Sequence, residues 1–132
     1  MRKIKLLLLA VIATLTLISC NSKKKDVSTP ENATKTFVTA FYTADFDEMY
    51  NCTVKNNRPI IQQMQKAMNG NKEKLESMRK NEVEIVEVTN SALNDTVSEC
   101  ECHFLFNKQK KKMTYTLRKE DEKWLVDLTI SY

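Results

Sequence analysis

Glycine is nearly missing: Gly70 is the single one in 132 residues, and Pro30 and Pro59 are the two prolines. Such a chain is not a loop-built scaffold, and it has no glycine-rich loop to cradle a phosphate. Histidine is as scarce, with His103 alone, so a His-supported Ser or Cys triad has a single candidate base. No Cys-x-x-Cys redox motif occurs, and a zinc site would need about four ligands, which a lone histidine and scattered cysteines do not gather. Charge of one sign is also lacking. The net charge is +4, and Arg2, Lys3 and Lys5 hold three of those positives, so the chain after them carries +1. A near-neutral domain lacks the clustered basic footprint that nucleic acid requires.

One apolar run is present, and it is short. Leu6 to Ile18 is 13 residues behind the basic start Met1-Arg2-Lys3-Ile4-Lys5. At about 1.5 Å per residue it falls short of a hydrocarbon core of about 30 Å. A short apolar run behind basic residues reads as a removed targeting segment. The run ends in Leu17-Ile18-Ser19-Cys20, which resembles a bacterial lipoprotein signal: small Ser19, then the lipid-accepting Cys20. The resemblance implies a signal peptide over 1–19, acyl chains on Cys20, and anchoring to a membrane outside the cytoplasm. Several acyl chains anchor stably where one is marginal. Asn21 in place of an aspartate implies, by the Gram-negative sorting rule, the periplasmic face of the outer membrane. A non-lipidated secretory signal and an uncleaved anchor are the rival readings.

Removing 1–19 leaves 113 residues, enough for one domain and a tether. Residues 20–29 read as the lipidated cysteine and a flexible tether, with Lys23, Lys24 and Lys25 near enough to touch anionic head groups. A solvated spacer is the plainer alternative. The domain is expected over 30–132.

Its first half is helical in pattern. Ser28 or Thr29 can cap a helix that Pro30 and Glu31 open, and Ala33, Phe37, Ala40, Phe41 and Ala44 form one stripe. Asp45 ends this helix and caps the next, where Phe46, Met49 and Tyr50 share a side. Asn56-Asn57 mark a break. Arg58-Pro59 open a third helix with Ile60 or Ile61, Met64, Ala67 and Met68 on its apolar side, stopped at Asn69-Gly70-Asn71. Lys72 to Lys80 reads as a short exposed helix.

The period changes after Asn81. Val83, Ile85, Val86 and Val88 form two alternations out of phase, which predicts a bulge or a strand covered on both faces. Thr96 to Phe106 alternates, with Cys100, Cys102, Phe104 and Phe106 inward and Val97, Glu99, Glu101, His103 and Leu105 outward. Asn107 to Lys111 reads as a polar hairpin loop. Met113, Tyr115 and Leu117 alternate next, Lys119 to Lys123 turn, and Trp124, Val126, Leu128 and Ile130 close the chain. Short turns make neighbouring strands antiparallel. The expected class is α+β: N-terminal helices packed on a curved antiparallel sheet of about four strands.

The stretch "TPENATKTFVTAFYTADFDEMY", with Ala44-Asp45-Phe46 at its helix junction, resembles lipoprotein domains with the nuclear transport factor 2-like (cystatin-like) cone fold. Lys123-Trp124 before the last strand is similar to that family's Gly-Lys-Trp, with Glu122 where glycine is usual. The resemblance covers roughly Val27 to Tyr132. It implies a fold and an envelope address, and no site residues. Some enzymes of this fold pair an Asp with a Tyr in the cone. Asp45, Tyr42, Tyr50, Asp127 and Tyr115 are the candidates, but Asp45 reads as a cap and Asp127 lies opposite its strand's apolar face.

With Cys20 assigned to lipid, Cys52, Cys100 and Cys102 remain. Cys100 and Cys102 share a strand face about 6.6 Å apart, near the limit for a disulfide. A bond from Cys52 to Cys100 or Cys102 is open if the second helix lies on the sheet. Three buried free thiols are the alternative, since free Cys packs as a small core residue. Most aromatic and Met side chains are needed for the core of so small a domain. Tyr42, Tyr50 and Tyr115 are the ones expected to line a residual pocket with a polar end. No catalytic residue, metal or cofactor is expected. The functional expectation is a non-catalytic binding module for a small apolar ligand, a peptide or an envelope protein. The alternatives are a cone-fold enzyme on a small hydrophobic substrate and a homodimer through the open sheet face.

Overall fold

A computed structural model of the chain describes residues 27–129. The expectations for the signal segment, Cys20, the tether up to residue 26 and Ile130 lie outside the described residues. Four helices precede four strands: α1 Pro30–Tyr42, α2 Phe46–Asn51, a 3-10 turn Lys55–Asn57, α3 Arg58–Asn69, α4 Lys72–Arg79, then β1 Val83–Ala92, β2 Val97–Phe106, β3 Gln109–Glu120 and β4 Lys123–Asp127. The strands form one antiparallel meander in the order β1-β2-β3-β4.

Local chemistry sets each boundary of the helical half. The Thr29 hydroxyl oxygen accepts from the Asn32 amide at 3.2 Å, and Pro30 occupies the first helical position of α1. At the other end the Asp45 amide donates to the Ala40 carbonyl at 2.9 Å while Ala44 turns left-handed at φ 56°. This is a Schellman-type stop. Asp45 then caps α2 by accepting from the Glu48 amide at 3.2 Å. One residue thus closes α1 and opens α2, as its place in the sequence predicts.

α1 lies across the sheet and supplies Ala33, Phe37, Val38 and Ala40 to the core. They meet Cys100, Cys102 and Phe104 of β2, Leu117 of β3 and Val126 of β4. Phe37, Phe104, Leu117 and Val126 are at most 1% exposed, so the inside of the cone is filled. α3 buries Ile61 fully and α4 Leu75, with Met64, Met68 and Met78 packed partly buried against the core. Of Ile60 or Ile61 it is Ile61 that faces inward, whereas Ala67, expected on the same side, is exposed because α3 lies at the rim against α2 and α4.

The bulge falls at Val86. Ile85 pairs with Phe104 and Val88 with Cys102, so the one extra residue, the exposed Val86, lets Val88 share the inner face with Val83 and Ile85. Two turns are tighter than expected. Phe106 pairs with Gln109 and Glu120 with Lys123, leaving the two-residue turns Asn107-Lys108 and Asp121-Glu122, all four at positive φ between 47° and 68°. These are type I′ turns, whose twist matches the strands they join. Residues 109–111, expected in a loop, therefore belong to β3.

The free edge of β4 is covered. The Val27 carbonyl accepts from the Trp124 amide at 2.9 Å, and Thr53 forms a parallel bridge to Val126, with the Val126 amide donating to the Cys52 carbonyl at 2.7 Å. The last residues of the expected tether are therefore tied to the fold. Among the described residues no helix is long and apolar enough to cross a membrane.

Candidate functional site

A cleft lies outside the cone, where α2 and the 3-10 turn meet the β3–β4 hairpin. It measures about 750 Å³ and is lined by Val27, Glu48, Asn51, Cys52, Lys55, Arg58, Glu120, Asp121, Lys123 and Leu125. The elements that form it are locked together. The Lys55 amide donates to Glu120 Oε1 at 3.2 Å, and Lys55 Nζ pairs with Asp121 Oδ2 at 3.2 Å. Arg58 Nε donates to the Tyr50 carbonyl at 3.2 Å, and its guanidinium stacks 4.8 Å above the Tyr50 ring. The floor is apolar, with Leu125 buried, while the walls alternate acid and base. Such a cleft suits a partner carrying both charges, because each wall offers its complement.

The three tyrosines do not converge on one pocket. Tyr42 packs its ring 5.1 Å from Phe104 and 5.1 Å from Phe106, and Tyr115 meets Phe37 edge-on at 5.2 Å. Burial, with the nearby Cys102 thiol, raises the pKa of Tyr42. Tyr50 is half-buried beside Arg58 and lines a separate shallow surface pocket of about 340 Å³ with Phe46, Asp47, Asn51, Gln62 and Gln65. The residual cavity expected among them is occupied by the core itself. Tertiary packing of α1 directly on β2 explains the difference, since Phe37 and Phe41 reach the space that the tyrosines were expected to keep open.

The Asp–Tyr pairs do not form either. Asp45 is the cap of α2. Asp127 has the outward parity expected, yet its side chain is 6% exposed and ion-paired with Arg118 Nε. The Thr129 amide donates to Asp127 Oδ1 at 3.0 Å, and the Thr129 hydroxyl donates to the same oxygen. Burial alone would raise the Asp127 pKa, but the Thr129 hydrogen bonds and the Arg118 charge outweigh it and hold the carboxyl below its ordinary value.

Cys52, Cys100 and Cys102 are buried, and no disulfide joins any two of them. The disulfide weighed for Cys52 is not formed, and the register explains why. Cys52 docks on the outer edge of β4, while Cys100 and Cys102 sit on β2 with β3 and β4 between. Three strand spacings are about 14 Å, beyond disulfide reach. Burial, then the neighbouring Cys100, pushes the Cys102 thiol up to about 11, and burial raises Cys100 as well. Thiols held protonated are poor nucleophiles. The Cys52 thiol faces Glu48 Oε1 at 3.8 Å. His103 is on the outer sheet face, its Nε2 2.6 Å from Glu101 Oε1, and so serves none of the cysteines. Among the described residues no group of three His, Cys, Asp or Glu could hold a metal.

Helices that cover one face of a curved four-stranded meander define the NTF2-like cone fold, and a solved structure shares it. The chain is similar to a provisionally named NTF2-like transpeptidase from Campylobacter jejuni, at 22% identity and a TM-score of 0.53, over 76% of this chain and 98% of that one. At that identity the likeness is one of fold. No protein-family model matches the chain, and no curated protein does.

The cleft was invisible in the sequence reading. Its walls come from residues 27, 48–58 and 120–125, and nothing in their spacing brings them together. The one available signal was the Glu-Asp-Glu run at 120–122 beside lysines, which reads equally well as a solvated turn.

Proposed function

We propose that this chain is a lipid-anchored protein of the bacterial cell envelope, on the periplasmic face of the outer membrane, whose NTF2-like domain is a non-catalytic binding module. The observation that carries the reading is the contrast between a filled cone and an open charged cleft. The cleft opens beside Val27, the residue at which the described chain begins, so a partner held there sits close to the anchor at Cys20. Six residues lie between Cys20 and Val27, seven Cα steps that reach about 25 Å at most.

Transpeptidase chemistry, suggested by the name of the Campylobacter jejuni protein, asks for a nucleophile with a base. The buried thiols here have no histidine near them, which favours binding over catalysis. The same filled interior argues against an enzyme acting on a small hydrophobic substrate in the cone. The outer sheet face has Val97 and Leu105 half-buried among Glu99, Glu101 and Lys112, so the cleft is favoured over self-association through the sheet.

Two measurements test the proposal. Alkyne-palmitate fed to a bacterial host should label the full chain and not Cys20→Ala; an unlabelled chain in the soluble fraction overturns the anchor. A photo-crosslinking residue at Asn51, in the cleft, should give a discrete adduct in cells, while one at Thr114 on the outer face should not. Adducts from Thr114 alone, or from neither, overturn the binding site.

A further inference from the structure

The two type I′ hairpins lie at opposite ends of the sheet and are treated differently by the rest of the chain. The acidic tip, Asp121-Glu122, is neutralised from within: Lys55 pairs with Asp121 at 3.2 Å and Lys119 with Glu122 at 3.7 Å. The basic tip is not. Lys108, Lys110, Lys111 and Lys112 are all exposed, and among the described residues none of them takes part in an ion pair. The acids around the tip are Glu82, whose backbone hydrogen-bonds Asn107, Glu101, diagonal to Lys112 and itself 2.6 Å from His103, and Glu84 and Glu87, two strands from Lys110 and Lys112; none of them pairs with a tip lysine. The two-strand separation is about 9.5 Å, close to the screening length of about 8–10 Å at physiological salt.

We propose that the β2–β3 hairpin tip is a docking site for an anionic polysaccharide. The alternation of β3 puts Lys110 and Lys112 on the outer face and Lys111 on the inner one, with Lys108 at the tip. The inner-face residues Gln109 and Lys111 are exposed, so the ribbon extends past its helical cover and carries charge all round. A flat bilayer or a folded acidic protein touches one side of such a ribbon. A flexible linear polyanion can follow it around. The tip also exposes no aromatic residue. Protein interfaces are enriched in aromatics and depleted in lysine, so lysines and amides alone fit a hydroxyl- and acid-rich chain better than a peptide. Lys108 sits at φ 68°, where glycine is at ease. The site is remote from the charged cleft, and the inference does not rest on it.

The test uses the full chain held in nanodiscs of neutral lipid with three probes of matched charge: polygalacturonate, polyglutamate and phosphatidylglycerol vesicles. Polygalacturonate should bind tightest, and Lys110/Lys111/Lys112→Gln should weaken it by about tenfold and flatten its salt dependence by roughly two to three counterions. Lys66/Lys72/Lys74→Gln removes the same charge from α3 and α4 and should change binding by less than about threefold. The single variant Lys108→Glu tests the same site with less change to the strand and should also weaken binding. No binding by the parent chain, or equal loss in both triple variants, overturns the site. Preference for polyglutamate or for vesicles overturns the polysaccharide and assigns the hairpin to an acidic protein or a membrane.

Discussion

Asn57 and Leu128 are joined across 71 positions of sequence: the Leu128 amide donates to Asn57 Oδ1 at 2.8 Å, and Asn57 is 1% exposed. This bond holds the exit of β4 against the turn that opens α3. The cleft between α2 and the β3–β4 hairpin has its shape because both of these segments are fixed.

Asn57→Ala is expected to lower stability by about 1–3 kcal/mol, since it leaves a buried amide of the Leu128 segment without its acceptor. Urea unfolding measures it. A loss under a few tenths would mean that water replaces the side chain.

Phe104→Ala removes a ring that is 1% exposed and packs against Tyr42. The expected loss is about 3–5 kcal/mol, a transfer and a cavity term together. For a domain of this size that is a large share of the total, so calorimetry should show a much lower or absent transition.

Asp127 gives a pH signature. Its folded pKa is depressed, so its contribution is present above the unfolded value, about 4, and is lost as pH falls through the folded value. Asp127→Asn should cost about 1–2 kcal/mol at pH 7, discounted because Arg118 is half exposed. The gap between parent and variant should close as pH drops below about 4. A gap unchanged down to pH near 2 would rule out ionisation as its source.

Glu122 stands at φ 65° in the position where the resembled Gly-Lys-Trp has glycine. Glu122→Gly should raise stability by about 0.5–1 kcal/mol, the relief of a left-handed side chain less the entropy that glycine adds to the unfolded chain. Its pair with Lys119 is a surface contact at 3.7 Å with Glu122 92% exposed, and its loss should not register. A fall in the melting midpoint would refute the strain argument.

The three thiols should be silent. Cys52, Cys100 and Cys102 are each 0% exposed, and a Cys102 pKa of about 11 leaves little thiolate at neutral pH. Iodoacetamide should modify them only after unfolding, and reducing and non-reducing gels should run alike. Fast labelling of the native protein would contradict this packing.

Much of the fold was readable because the signals were local. Thr29-Pro30, Asp45 and the out-of-phase valines of β1 announce caps and a bulge through chemistry that acts within a few residues. The errors have a common cause. Residues 109–111 were assigned to a loop because lysines rarely favour strands, yet pairing with Phe104, Leu105 and Phe106 recruits them. Asp127 was expected on an open face, and the turn to Thr129 buries it. Both corrections depend on what a neighbouring segment does, which no window of sequence contains. The cleft is the extreme case, being assembled from three separated segments.

The bulge at Val86 has a consequence for how two copies of the chain meet. With β4 covered by Val27 and Thr53, β1 is the one open edge of the described sheet. The extra residue kinks that edge and leaves Val86 64% exposed, flanked by Glu84 and Glu87. A second strand laid alongside would meet broken register and like charge. Copies that collide side by side find nothing on this edge to zip onto.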